Sequence, residues 1–425
     1  MANSQKLIYV YENWSSEQPN KIGTLYVDIS KGKETFSFEY DSEWLKNSSF
    51  AFVLDPDLAM YNGRQFAPLD KALFGIFSDS CPDRWGRVLM KRREATIAKR
   101  EERKPRELRE SDFLLGVYDE SRMGALRFSL DENGPFLSDD KDMATPPWAN
   151  LRTLEEASRA FEQDENALEE KWLRQLIGPG SSLGGARPKA TVQDVDGSLW
   201  IAKFPSKHDE VDSGAWEMVA HDLAEMCFLD VPKAKLEKFS KLGSTFLVKR
   251  FDRDGEKRIH FASAMTMLGK ADGASAADGT SYLDVVSFIK SNGATPAKDL
   301  RELWKRIVFN MAISNTDDHL RNHGFILTSD GWCLSPLYDV NPVPYGDVLS
   351  LNVSEEDPSI SIDLAVETAE YYGLSVDEAK LEADKILSVA RDNWEKLATK
   401  YGISRSNIEY MRPAFSASTD WYKRK

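Results

Sequence analysis

Cysteine, long apolar runs and positive charge are all in short supply in this chain of 425 residues, and each shortage excludes something. The three cysteines, Cys81, Cys227 and Cys333, stand far apart with no CxxC pair. That spacing excludes a disulfide framework and predicts small buried hydrophobes in a reducing compartment. No stretch approaches the roughly 20 apolar residues that a membrane-spanning helix needs. The opening residues, Met1 to Lys6, lead straight into the strand-like Leu7–Tyr11 without a signal-peptide pattern, so a cytoplasmic protein is expected. Lys and Arg total 55 against 69 Asp and Glu, a formal charge of −14. Such a balance argues against a large DNA-binding face on the chain acting alone.

Apolar residues make up 41% of the chain, enough at this length to fill more than one core. Short alternating runs, Lys6–Tyr11, Gly23–Ile29 and Thr35–Tyr40, predict an antiparallel unit with turns at Asn20–Gly23 and Lys31–Lys33. Ser78 to Gly86 reads as a capped start to a helix dense in Arg and Lys from Arg84 to Arg109. Glutamates interleave at spacings that permit helical ion pairs, so the segment is either a solvated face or a patch for an acidic partner or DNA. Pro, Gly and Asp mark a linker at 131–150. Beyond it, helical pattern runs over Leu154–Leu176, and two strands, Ala190–Val195 and Leu199–Phe204, flank Asp196-Gly197. A helix over Trp216–Leu229, a strand over Gly243–Phe251 and a buried helical stripe from Leu300 to Met311 follow. A second hairpin is expected about Asp330-Gly331, and Ser375 with Glu378 forms a capping box ahead of a long C-terminal helix.

The chemistry lies in an order of parts. A glycine-rich loop, Gly178 to Gly185, precedes the strand lysine Lys203 and the helix glutamate Glu217. Asp317 then stands four residues before Asn322, and Asp339 follows the hairpin. Phosphoryl transfer needs this set: glycines let backbone approach phosphate, lysine neutralises it, and hard oxygen ligands hold Mg²⁺. A carboxylate such as Asp317 accepts the proton of the attacking hydroxyl. Each part alone is weak. The loop fails the Walker A template, since Ala186-Arg187 stands where Lys-Ser/Thr is required. His319 and His323 have the spacing of a zinc pair, but the accompanying Glu and the helical pattern are missing.

Six stretches carry a family resemblance: Pro82–Arg87, Met123–Phe128, Ser181–Ala190, Val248–Arg253, Asn315–Asn322 and Leu334–Asp339. Together they resemble the HipA family, the kinase toxins of bacterial toxin–antitoxin modules. The resemblance implies an α+β, protein-kinase-like two-lobed fold. Its parts would be an N-terminal β-rich subdomain (1–130), the linker (131–150), a nucleotide-binding lobe (151–255) and a helical catalytic lobe (256–425). It implies ATP and Mg²⁺ as cofactors, Asp317 as catalytic base, and Asn322 with Asp339 on the metal. Ser181, Ser182, Gly184, Gly185 and Ala186 would cover the nucleotide, with Lys203 on its phosphates and Glu217 as the partner of Lys203. Lys249 and Phe251 would form the adenine hinge, and His319 and Arg321 would complete the site. Ser182, with Ser181 as the alternative, falls where the family carries an autophosphorylated loop serine.

The same resemblance implies a protein serine or threonine as acceptor, an aminoacyl-tRNA synthetase being one such substrate. A small helix-turn-helix antitoxin, similar to HipB, would be the partner that holds operator DNA. The chain departs from the family pattern at Arg187-Pro188 and across His260–Gly269, and both departures bear on the substrate. Two other classes stay open: a small-molecule kinase of the antibiotic or sugar type, and a non-catalytic co-repressor.

Overall fold

The computed structural model describes residues 4–47, 52–137, 145–163, 176, 185 and 187–423. Residue contacts divide the chain into two units: 1–207 with 249–271, and 208–248 with 272–425. The mixture of strands and helices in both makes the fold α+β.

The first unit opens on a five-stranded antiparallel sheet. Its strands are β1 (Ser4–Glu12), β2 (Asn20–Ser30), β3 (Lys33–Tyr40), β4 (Gln65–Phe66) and β5 (Leu126–Ser129), in the order β4-β3-β2-β1-β5. Alternation along them puts Ile8, Val10, Leu25, Val27, Phe36 and Phe38 on the buried side. Ser30 pairs with Lys33 across a two-residue loop. Lys31 (φ 49°) and Gly32 (φ 83°) both lie in the left-handed region that such a hairpin requires. The turn expected at Asn20–Gly23 is instead strand, because β1 carries a register shift between Val10 and Tyr11 and its last residue, Glu12, organises the reversal. The Glu12 carboxylate, 1% exposed, accepts hydrogen bonds from the amides of Trp14 (2.8 Å) and Ser15 (3.0 Å) and from Asn20 Nδ2 (2.8 Å).

The basic helix, Arg84–Arg100, is capped by Asp83, whose Oδ1 accepts from the Gly86 amide at 2.8 Å. Trp85, Leu89, Met90 and Ala98 are buried, while Arg84, Lys91, Lys99 and Arg100 are exposed. The glutamates do not pair one helical turn along. Glu94 instead binds Arg103 beyond the helix end and the Arg106 amide (2.8 Å), and Arg87 meets Glu110 with two contacts of 2.7 Å. Arginine fastens the pieces of this unit elsewhere too. Arg250 spans Asp252 (2.8 and 2.6 Å) and the carbonyls of Ser121 (2.6 Å) and Arg122 (3.0 Å). Asp252 also accepts the Gly124 amide at 2.8 Å. Val248–Arg253 and Met123–Phe128, far apart in sequence, are thus two halves of one buried joint. Burial pushes the Asp252 carboxyl up, but Arg250 and Arg253 outweigh it and hold it at about 2.

In the second unit the helices Ser213–Met226, Pro296–Ala312 and Val376–Lys400 carry the core. Trp216, Trp394 and Phe415 stack there, Trp394 on Phe415 at 4.4 Å and Trp216 on Trp394 at 6.4 Å. Aromatic pairs of this kind add roughly 0.5–1.5 kcal/mol beyond their buried area. Ser375 and Glu378 form the expected capping box. The hairpin Gly324–Thr328/Gly331–Leu334 turns on Ser329-Asp330, one residue earlier than expected, with Gly331 (φ 132°) already in the return strand. Cys81 and Cys227 are buried, but Cys333 is half-buried, since it sits on this hairpin beside the Thr295 hydroxyl at 3.7 Å.

Candidate active site

The helix Pro296–Ala312 begins with a proline in its first turn, where a missing amide costs nothing, and is buried along Leu303, Trp304, Ile307, Val308 and Met311. One polar residue, Asn310, interrupts that apolar stripe and is fully buried. The chain leaves the helix through Ser314, a non-glycine residue at φ 49°. A tight loop follows. The His319 amide donates to the Asp317 carbonyl (3.0 Å), the Asn322 amide to the His319 carbonyl (2.8 Å), and Asn322 Nδ2 to the Asp317 carbonyl (3.0 Å). These bonds leave the Asp317 side chain exposed while Asn322 is 4% exposed.

The loop stands on Asp318, which is 1% exposed. Its Oδ2 accepts from the Tyr282 hydroxyl (2.6 Å), Asn310 Nδ2 (2.8 Å) and His323 Nε2 (2.8 Å). Burial pushes the Asp318 carboxyl up; the His323 imidazole and the hydrogen bonds from His323 and Tyr282 overcome that and hold it below the usual carboxylate range. Burial, together with the Asp318 charge, drives the Tyr282 hydroxyl well above its ordinary value. Asn315 Nδ2 donates to Asn310 Oδ1 at 3.0 Å, so both asparagines brace the same spot. His323 is therefore committed to Asp318, which removes it from the zinc pairing with His319.

Asp339 follows the hairpin and sits at φ 58°, a conformation that non-glycine residues adopt seldom and chiefly at functional positions. Its neighbour Tyr338 donates its hydroxyl to the Arg321 carbonyl at 2.8 Å, which fastens this segment to the loop one residue before Asn322. The Arg321 guanidinium lies 3.3 Å from Asp272, and His319 is half-buried. The second unit thus brings the Asp317–Asn322 loop and the Asp339 segment together.

The first unit holds the other candidates. Strands β6 (Lys189–Gln193) and β7 (Leu199–Lys203) pair antiparallel, with Lys189 opposite Lys203. Lys203 is 5% exposed. Lys189 is 1% exposed, and its ammonium lies 2.6 Å from Asp83 Oδ2 and 3.0 Å from the Gly185 carbonyl. Asp83 is thereby both the cap of the basic helix and the counter-ion of a buried lysine at the foot of the glycine-rich segment. Phe251 is half-buried with its ring 5.8 Å from Phe261, and Lys249 is half-buried. Glu217, in the second unit, is 6% exposed on the helix Ser213–Met226. Ser181, Ser182, Gly184 and Ala186 lie outside the described residues.

Reading the sequence missed Asp318, Tyr282, Asn310, Lys189 and Asp83. Asn310 was the available signal for the first three, as a polar side chain inside an apolar helical stripe.

Residues 181–406 match the family model for the HipA-like C-terminal domain. Two proteins of Sinorhizobium fredii that carry the name "Putative kinase" align with it. Y4mE is 30% identical over 192 residues, 39% of this chain and 44% of the relative. Y4dM is 25% identical over 236 residues, 50% of this chain and 54% of the relative. The chain thus spans about half the length of the curated relatives it matches. Among solved structures, HipA of Shewanella oneidensis, from a toxin–antitoxin complex with HipB and operator DNA, superposes with a TM-score of 0.68 at 16% identity. That match covers 97% of this chain and 96% of the other, so the fold is shared. With a family model that takes in more than half of its residues, the chain belongs to the HipA family.

Proposed function

We propose that this protein is an ATP- and Mg²⁺-dependent serine/threonine protein kinase and the toxin of a toxin–antitoxin pair. The observation that supports it most is the Asp317–Asn322 loop, which is held closed by its own backbone, exposes one carboxylate and rests on the buried Asp318. In the mechanism Asp317 takes the proton of the acceptor hydroxyl as the oxygen attacks the γ-phosphate. The donor set suits magnesium. Asn322 uses its Nδ2 on the Asp317 carbonyl, so its remaining side-chain donor atom is an oxygen, and Asp339 supplies a carboxylate; hard oxygens are what this cation selects. Bound there, Mg²⁺ would neutralise charge on the transferring phosphate. Lys203 would carry the nucleotide phosphates, with Glu217 as its orienting carboxylate and Phe251 against the adenine.

The acceptor is proposed to be a protein of the translation machinery, such as an aminoacyl-tRNA synthetase. A small basic helix-turn-helix antitoxin would supply the DNA contacts that a chain of charge −14 lacks. Ser182, or its neighbour Ser181, is proposed as an autophosphorylation switch. A phosphoserine brings about −1.5 to −2 charge to a loop that has to hold a triphosphate. The test is incubation with ATP–Mg²⁺ followed by phosphopeptide mapping of the chain and of added bacterial proteins. Phosphoserine or phosphothreonine on either supports the reading. Phosphate found only on an aminoglycoside or sugar favours the small-molecule kinase, and none anywhere favours the co-repressor.

A further inference from the structure

Immediately behind the Asp317 loop the second unit contains a cavity of about 480 Å³. Its wall includes Ser314, Tyr345, Gly346, Asp347, Asp363, Asp420 and Trp421. The loop and the cavity share structure. Ser314 is the turn out of the helix that leads to Asp317, and its carbonyl accepts the Val343 amide at 3.2 Å. Gly346 lies so close to Thr316 that a Cβ there would come within 2.2 Å of the threonine methyl, so only glycine allows the approach. Ser350 donates its hydroxyl to the Thr316 carbonyl at 2.7 Å. Residues 344–347 also follow closely on Asp339. The cavity is therefore fixed rigidly to the two segments that carry the proposed base and metal ligand.

Its chemistry has one sign. Three carboxylates, Asp347, Asp363 and Asp420, stand exposed around it, and two rings, Tyr345 and Trp421, complete the wall. Among its described lining residues there is no lysine, arginine or histidine. The Trp421 indole donates to Asp384 at 2.6 Å, and the Tyr345 ring meets Tyr410 edge-on at 5.7 Å, so both rings are held in place. Carboxylates beside fixed aromatic faces attract a guanidinium or ammonium both by charge and through the ring quadrupole. The volume falls within the range of sites that enclose a ligand group. An extended peptide advances about 3.3 Å per residue. A chain whose hydroxyl reaches Asp317 would therefore carry its next few side chains past this opening.

We propose that the cavity binds an arginine or lysine side chain of the protein substrate, a few residues from the phosphorylated hydroxyl. Arginine fits best, because its planar fork can engage a carboxylate while its face rests on an indole. The inference rests on the protein-kinase reading above and adds a substrate class to it: acceptor sites flanked by a basic residue.

The test uses the full chain, ATP–Mg²⁺ and an arrayed peptide library with one serine, in which each flanking position is in turn Arg, Lys, Ala or Glu. The wild type should prefer Arg or Lys at one position. In Asp363→Asn and Asp420→Asn the ratio of kcat/KM for the Arg peptide over the Ala peptide should fall about tenfold, as expected for loss of one close charge partner. Asp363→Arg should shift the preference toward Glu. Thermal unfolding of each variant shows that it is folded. Phosphate transfer to peptides without a basic preference, or with one that survives Asp347→Asn, Asp363→Asn and Asp420→Asn combined, would overturn the cavity's role while leaving the kinase reading intact. ATP turnover with transfer to no peptide or protein would remove both.

Discussion

Asp318 offers the sharpest test of how the site is supported. Replacing it with alanine removes the single oxygen on which Tyr282, Asn310 and His323 converge at 2.6–2.8 Å. Three donors are then left in a region closed to water. An unsatisfied buried donor costs about 1–3 kcal/mol, and breaking a buried charge pair typically costs about 3–5 kcal/mol in total. A loss of 3–5 kcal/mol is thus expected for Asp318→Ala. Since 1 kcal/mol shifts Tm by about 2–4 °C in a unit of 150–250 residues, the melting temperature should fall by at least 6 °C. Asp318→Asn keeps an acceptor of the same shape and loses only the charge assistance, roughly 1 kcal/mol per bond, so it should fall between. The Asp318 carboxyl is held below its ordinary range, so its contribution is present above that range and lost as pH falls through the lowered value. The gap between wild type and Asp318→Asn should narrow on acidification. Thermal melts followed by circular dichroism at several pH values provide the measurement. An Asp318→Ala protein that melts within 2 °C of wild type would refute the claim that this carboxylate carries the loop.

Two further outcomes follow from other buried charges. Asp83→Asn keeps an oxygen to cap the basic helix but strands the Lys189 ammonium, now 2.6 Å from its only carboxylate among the contacts described here; the expected loss is about 3–5 kcal/mol by urea denaturation, and Lys189→Met in the same chain should restore much of it. A double variant no more stable than Asp83→Asn would show that the pair is not the source. Burial lowers the His221 pKa, but Asp222 and the Pro232 carbonyl outweigh it and leave it raised above 6.5. Its stabilisation is therefore complete below pH 6.5 and lost as pH rises through the raised value, and His221→Gln should flatten that slope in unfolding experiments. An unchanged slope would contradict the assignment.

Local features were legible in the sequence. The Lys31-Gly32 turn, the Asp83 cap, the Ser375–Glu378 capping box and the buried stripe of Pro296–Ala312 all depend on residues within a few positions of one another. The joints were not legible, because their partners are remote. Gly124 meets Asp252, and Lys189 meets Asp83, over separations that no periodicity registers. The reversal after β1 was misplaced because a side chain, Glu12, rather than a turn dipeptide, organises it. In the candidate site the order Asp317, Asn322, Asp339 could be read directly. Asp318 looked like a second loop acid, and only burial among Tyr282, Asn310 and His323 gives it a separate task.

Transfer of the γ-phosphate by the wild type and by Asp317→Asn, with ATP binding measured on both, tests the central claim most directly. Asparagine keeps the shape of the loop and removes the proton acceptor, while Asn322 and Asp339 remain. The account predicts transfer slowed by about 10²–10⁴-fold with ATP–Mg²⁺ affinity retained. Transfer by Asp317→Asn at the wild-type rate would contradict it.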